Sequence, residues 1–406
     1  MGRSSLLMIM GFGTALLMIG SNIAKVSNDA MANYTYYYNA SMARSIAESG
    51  MNLAARSLFE NSAWRAGFAG KEFGDGRFTC TVRDTTNNRV RVTATGTFQN
   101  MRRVVSALLQ PSSFSRFGYY SVVEGNIWWI SGDTVWGPMH TQDNLRVAGA
   151  PVFMQRSTSL ESIIYKTGPS VDKPVFKGGY NTGVNISLPT DLVPLRTAAA
   201  SGKKFTGPDS VYILLESNGK LKWKQGVGSA WTEENVTSFT PNGVIYADGA
   251  NVHVSGILSG RVTICAGGLT GKGKQGNIYL DGGITYAHDP RSGSSTDLLG
   301  LVADNSILIA DNAANAGKSI DIQASVFCRT GGFTAENWST RGVEGSIKLL
   351  GGIQHNARAP VGTFSGSPPH LVSGYLKNYL YDERLMNDAP PFFPTTGQYE
   401  IVSWFE

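Results

Sequence analysis

No proline occurs in the first 110 residues; the first is Pro111. Nothing in that stretch removes a backbone N–H or clashes with a preceding helical turn. Charge is also scarce, at 16% of 406 residues, where about 25% is usual. The net charge of +5 is small for this length and the basic residues are dispersed. No Lys/Arg stripe lies beside base-stacking aromatics, which excludes a nucleic-acid footprint. The three cysteines, Cys80, Cys265 and Cys328, are too few and too odd in number for a disulfide framework. Each lies in a strand-like run (FTCTV, RVTICA, SVFCR), where a buried thiol behaves as a small hydrophobe. A single Cys265–Cys328 bridge is left open, if their strands stack.

Several chemistries lack their residues. His140, His253, His288, His355 and His370 are scattered, without the paired spacing of a zinc site, so no metal or other cofactor is expected. Gly268–Gly276 (GLTGKGKQG) lacks the Gly-Lys-Ser/Thr ending of a P-loop and reads as a surface loop. Ser131-Gly132-Asp133 and Gly362-Thr-Phe-Ser365-Gly are not nucleophile elbows.

What is present begins with a helix. From Leu6 to Ala24 run 19 membrane-tolerable residues, including Leu6, Leu7, Ile9, Phe12, Leu16, Leu17 and Ile19. That is close to the roughly 20 needed to cross a bilayer. Arg3 and the terminal amine direct the N-terminus to the cytoplasm. Helical pattern continues through Lys25 to Glu60, favouring a retained anchor over a cleaved secretory peptide, which needs a break after its cleavage site. A helix over 1–63 would be roughly 90 Å long, so it needs lipid or neighbouring copies to cover it. Ala40, Ala43, Ala47, Gly50, Ala54 and Leu58 recur three and four apart. This small-residue stripe suits close packing, on the chain's own sheet or on another stem. Tyr34, Tyr36, Tyr37 and Tyr38 lie too far beyond the apolar run for a membrane-interface belt.

After Gly74-Asp75-Gly76 the period becomes two. Phe78, Cys80 and Val82, then Val90, Val92 and Ala94, alternate with polar residues, with turn chemistry at Asp84–Asn88 between them. With Arg103–Leu109 they make an antiparallel meander over 64–110. Glycine is abundant at 48 residues, and beyond Pro111 no long helix is expected. Residues 116–242 read as the β-rich first part of a head, with a hairpin of Val211–Glu216 and Leu221–Gln225 about Asn218-Gly219. Trp128, Trp129 and Trp136 are core or a surface for glycan or protein. Over 243–370 a loose repeat links Asn251-Val-His-Val, Asn277-Ile-Tyr-Leu, Ser319-Ile-Asp-Ile and Ser346-Ile-Lys-Leu. Such units must stack to bury their apolar faces. A β-solenoid is expected, with an irregular sandwich as the alternative. Residues 371–406, rich in aromatics and proline, form a strap capping an open end.

The apolar stem, the run Ala43-Arg-Ser-Ile-Ala-Glu-Ser-Gly-Met-Asn-Leu-Ala-Ala55 and the meander together resemble the type IV pilin-like superfamily, over about residues 1–110. The nearest kind is a minor pilin or pseudopilin with a large appended head. The later GPMHTQDNLRV, GYLKNYLYDERL and YEIVSW segments resemble uncharacterised bacterial pilin-like envelope proteins. The resemblance implies processing before a Phe or Met, making Gly11-Phe12 the candidate cut. It also implies a Glu at the fifth mature position. Here that residue is Leu16, and no acid precedes Asp29. Some tip pseudopilins share this departure.

The fold class expected is mainly β with a long N-terminal helix: pilin-like helix and meander, then a β-solenoid head. The function expected is structural, a subunit of a type IV pilus-like or secretion filament in the bacterial cell envelope. Its stem, including Ala43, Ala47, Gly50 and Ala54, meets membrane and other pilin-like subunits, and its extracytoplasmic head is free for adhesion. The alternatives are a non-filament protein on an uncleaved anchor, and a carbohydrate-active solenoid. The latter would use Asp281 and Asp321 as its carboxylate pair, near an outward column of His253, Tyr279, Asp321 and Lys348.

Overall fold

The proline-free run folds as one α-helix, α1 (Gly2–Glu60), of 59 residues. The computed structural model describes residues 2–85, 89–168, 170–207, 209–268, 276–365 and 370–406. The chain forms two compact units: residues 1–112 with 397–406, and residues 113–396. The five segments expected from composition are thus not separate bodies. The stem and meander share one core, and the chain's last residues join them.

In the first unit the buried residues of α1 are Ala40, Ala43, Ile46, Ala47, Gly50, Met51, Ala54 and Leu58. They cover β1 (Phe68–Phe73), β2 (Gly76–Asp84), β3 (Val90–Phe98) and β4 (Met101–Ser113), paired antiparallel in chain order. Alternation puts Phe78, Cys80, Val90, Val92, Ala94, Val105, Ala107 and Leu109 on the helix side. Contact is close because small residues face each other. A Cβ on Gly96 of β3 would sit 2.1 Å from the Ala43 carbonyl oxygen and 2.5 Å from the Ala47 nitrogen. The expected meander corresponds to β2, β3 and β4. Sequence reading missed β1, whose residues are mostly exposed; it found strand pattern over Tyr399–Phe405 but not that this strand, Thr395–Phe405, lies beside β4 at the sheet's edge.

The second unit is mostly β; most of its strands join in one hydrogen-bonded system, and two further sheets have three strands each. Most neighbours are parallel. One ladder runs from Lys203–Thr206 through Val244–Asp248, Arg261–Gly267, Leu298–Ala303 and Ile320–Cys328 to Val343–Ala357. It continues into Tyr119–Val123, Met139–Thr141, Ser157–Ser159 and Tyr180–Asn181. The chain therefore enters this stack in its middle, climbs to one end, and returns from the other. A second parallel ladder joins Ser210–Leu215, Asn251–Leu258, Ile278–Tyr286, Ile307–Ile309 and Phe333–Ala335.

The repeat residues Val252, Val254, Ile278, Leu280, Ile320, Ile322, Ile347 and Leu349 are all buried in one core. Val252 pairs with Ile278, and Ile320 with Ile347. The middle step slips: Ile278 pairs with Ile307, and Ile322 with Ile284. The expected hairpin is present, with Val211 opposite Gln225 and Leu215 opposite Leu221. Its turn needs Gly219 at φ +80.

The Cys265–Cys328 bridge left open by the sequence is not formed. All three cysteines are free and buried. Cys265 pairs with Val302, and Cys328 with Ala303 one position along. They lie two rungs apart and point to different cores, beyond the reach of a disulfide. The strap divides into three parts with different neighbours. Residues 370–380 form a strand beside Val343–Ala357. Phe393 then packs on the flank with Phe114, Phe117, Val302 and Phe327, while residues 397–406 complete the first unit's sheet. The loop Gly268–Gly276 and the turn at Asp84–Asn88 lie largely outside the described residues.

Candidate functional site

The stem residues separate into two groups. Ala43, Ala47, Gly50 and Ala54 are buried under the chain's own sheet, leaving them no surface for another stem. Leu6, Leu7, Ile9, Phe12, Leu16, Leu17 and Ile19 are 55–74% exposed, beside the candidate cut at Gly11-Phe12. Burying each such side chain is worth about 1.5–3 kcal/mol. The run as a whole therefore forgoes roughly 10–20 kcal/mol if left in water. This helix is long and apolar enough to cross a membrane.

The outward polar column divides in two. His253 stacks on Tyr212 at 4.4 Å and on Tyr279 at 4.8 Å between ring centres, and its Nδ1 lies 3.0 Å from Asp281. Asp321 pairs instead with Lys348, which pairs in turn with Asn378, and its carboxylate lies 4.0 Å from the Lys348 ammonium. A glycosidase acid needs an environment that keeps its proton at neutral pH. Asp321 is instead more than half exposed to solvent, beside a lysine. The other histidines are dispersed: His140 meets Thr158, His288 meets Asp297, and His370 is exposed. Among the described residues, no group of three or more His, Cys, Asp or Glu is placed for a metal.

Sequence reading missed the most unusual cluster. The rungs Tyr119–Val123 and Val343–Ala357 are hydrogen-bonded neighbours, and each runs directly into a charge, Glu124 and Arg358. Their side chains meet at 2.9 Å, 0% and 5% exposed. Glu124 also accepts from the Tyr119 hydroxyl at 2.8 Å, from Trp129 Nε1 at 3.1 Å and from Ser121. The Arg358 guanidinium lies 3.9 Å from the Trp129 ring centre, a cation–π contact strengthened by desolvation. The pair thus clamps the joint where the two runs of the stack meet. Isolated charges 234 residues apart give no sequence signal of this.

Beside the clamp is a cavity of about 80 Å³, lined by Trp129, Asp133, His355, Arg358, Lys377 and Tyr379 among others. Burial, then Arg358 and Lys377, push the His355 pKa down to about 3. Lys377 is lowered to about 8 by desolvation and then by Arg358, although part of its side chain reaches solvent. Of the tryptophans singled out, Trp129 is 7% exposed and walls this cavity. Trp136 is 45% exposed and lines a separate cleft with Arg291 and Tyr381.

No family model and no curated protein matches the sequence. One solved structure that it resembles is a pilin. The competence-associated pilin ComZ from Thermus thermophilus aligns over 91% of this chain and 97% of its own, at 13% identity and a TM-score of 0.36. A likeness at that score carries no argument by itself, so function has to be argued from α1, its sheet and the clamp.

Proposed function

We propose that the chain is a membrane-anchored, pilin-like structural subunit, with an extracytoplasmic head that is a β-solenoid available for contact. One observation carries this reading: α1 buries only its 40–58 face on an antiparallel sheet, while the apolar part before it is exposed along its length. That apolar run demands lipid or other stems as cover. The solenoid reading is supported by stacked parallel rungs, since a sandwich would pair mainly antiparallel. Entry into a filament is tested by shearing cells and probing the released surface fraction. A subunit should be found there with an N-terminus at Phe12. Complete retention in the membrane with an intact Met1 would refute assembly.

A second reading, a non-filament protein on an uncleaved anchor, draws on two observations. Leu16 stands where the family carries its Glu. The Ala43, Ala47, Gly50 and Ala54 stripe is already occupied by the chain's own sheet.

A further inference from the structure

We propose that two adjoining clefts on the second unit form one groove that binds a short segment of a neutral, extended polysaccharide. This rests on and deepens the contact role proposed for the head, and does not require that the stem enter a filament.

The clefts measure about 510 Å³ and about 410 Å³ and share Arg291, Leu350 and Leu380. Ligand clefts run from about 300 to 1,000 Å³, so each is of that size. Register sets the floor: Lys348 lies between Asp321 and Asn378, and Leu350 between Gln323 and Leu380, on three successive rungs. One wall is the turn Pro290–Ser292, where the Asp289 carboxylate accepts from the Arg291 N–H at 2.9 Å. Its base is pinned by Asp297, 2% exposed, which accepts from the Gly260 and His288 N–H groups. A second wall is Tyr381–Arg384. Arg384 pairs with Asp382 at 2.7 Å and donates to the Ser295 carbonyl at 2.9 Å, which ties the two walls together. The groove is therefore preformed, and a ligand meets little ordering cost in the protein.

The lining groups define the ligand. Trp136 is 45% exposed in the first cleft, and no other ring of the described residues covers it. The negative face of such a ring attracts polarised C–H groups, which the flat side of a pyranose presents. Gln323 Oε1 accepts from the Tyr286 N–H at 2.6 Å, which leaves its amide hydrogens to donate. Lys348 and Asp321 stand 4.0 Å apart, too far to satisfy each other by a hydrogen bond. Donors and acceptors thus alternate along the floor. With Asp382 and Arg384 spent on each other, Arg291 and Lys348 face Asp289, Asp321 and Glu383, so a polyanion finds no net attraction. The rungs carrying Asp321 and Lys348 are paired on both sides, leaving an extended peptide no strand edge to join. A ligand that fits crosses the rungs, carries no charge, and offers both hydroxyls and C–H faces. A chain of pyranoses meets these conditions, and each ring advances by about one rung spacing, about 4.8 Å.

The test uses the full chain in a polyoxyethylene detergent, which has no sugar headgroup. Tetrasaccharides of β-1,4-linked glucose, mannose and N-acetylglucosamine are titrated into the millimolar range by calorimetry, with tetragalacturonate as the charged probe. At least one neutral tetrasaccharide should bind saturably at one site per chain. Trp136→Ala and Lys348→Met should each weaken it about tenfold, with circular dichroism confirming that the variants are folded. Trp231→Ala removes an indole that is 48% exposed but outside the groove, and should leave binding unchanged. Three outcomes overturn the proposal: no neutral tetrasaccharide binds; one binds the Trp136 and Lys348 variants as tightly as the parent; or tetragalacturonate binds more tightly than every neutral probe, marking an anion site. The shear fraction decides the filament role independently.

Discussion

Lowering the pH from 6.5 towards about 4.5 challenges two buried imidazoles in the second unit. His140 is held down to about 4 by burial, and His355 to about 3 by burial and the cations beside it; both start from 6.5 when exposed. Each is a base whose folded pKa lies below its unfolded one. Below 6.5 the unfolded chain takes up a proton that the folded chain refuses, so stability is complete above 6.5 and falls as the pH drops. The slope is about 1.4 kcal/mol per pH unit per histidine. At about pH 4.5 each therefore costs about 2.5 kcal/mol, and the two together about 5 kcal/mol. That is comparable with the whole stability of a typical domain, about 5–15 kcal/mol. The carboxylates of this unit that are held low, Asp172, Asp248 and Asp388 from 3.8 and the exposed Glu233 from 4.5, lose their contribution mainly as the pH falls further. The assay is the urea midpoint of the detergent-solubilised chain at half-unit pH steps, followed by hydrogen exchange in Met139–Thr141 and Val343–Ala357. His355→Gln should halve the slope, and adding His140→Gln should flatten it. A flat profile in the parent, or an unchanged slope in the double variant, would refute the reasoning.

Two further perturbations separate the units. Glu124→Ala leaves Arg358 buried without its partner and should cost about 3–5 kcal/mol. Replacing both residues by Leu should recover much of that loss, and a double-mutant cycle on urea midpoints measures the coupling. In the first unit, Gly96→Ala drives a methyl into the backbone at Ala43 and Ala47 and should cost about 1–3 kcal/mol. Faster hydrogen exchange should then be confined to α1 residues 40–58 and their sheet. Faster exchange in the second unit would contradict the division of the chain.

The sequence revealed those elements whose signal is local. Freedom from proline across 110 residues and the spacing of Ala43, Ala47, Gly50 and Ala54 marked the helix and its packing face. Strict alternation in β2, β3 and β4 marked the meander. The Asn218-Gly219 turn marked the hairpin, and the apolar pairs of the repeat marked buried positions. β1 escaped because its exposed residues, Ala69 to Phe73, leave no alternating pattern. The repeat's register slipped because Ile278–Tyr286 has two successive partners, Ile307–Ile309 for its first residues and Ile322 for Ile284.

The sequence alone determined that this chain begins as a long apolar helix and ends in β-structure, because periodicity is a property of neighbours along the chain. Only the tertiary structure decided what the small-residue stripe touches. It also decided that the last strand returns to the first sheet, and that Tyr119–Val123 stacks on Val343–Ala357. The physical reason is common to all three: packing faces and strand partners are chosen by burial and register between segments remote along the chain, more than two hundred residues apart for Tyr119–Val123 and Val343–Ala357. The Glu124–Arg358 clamp exists only once that stacking has formed.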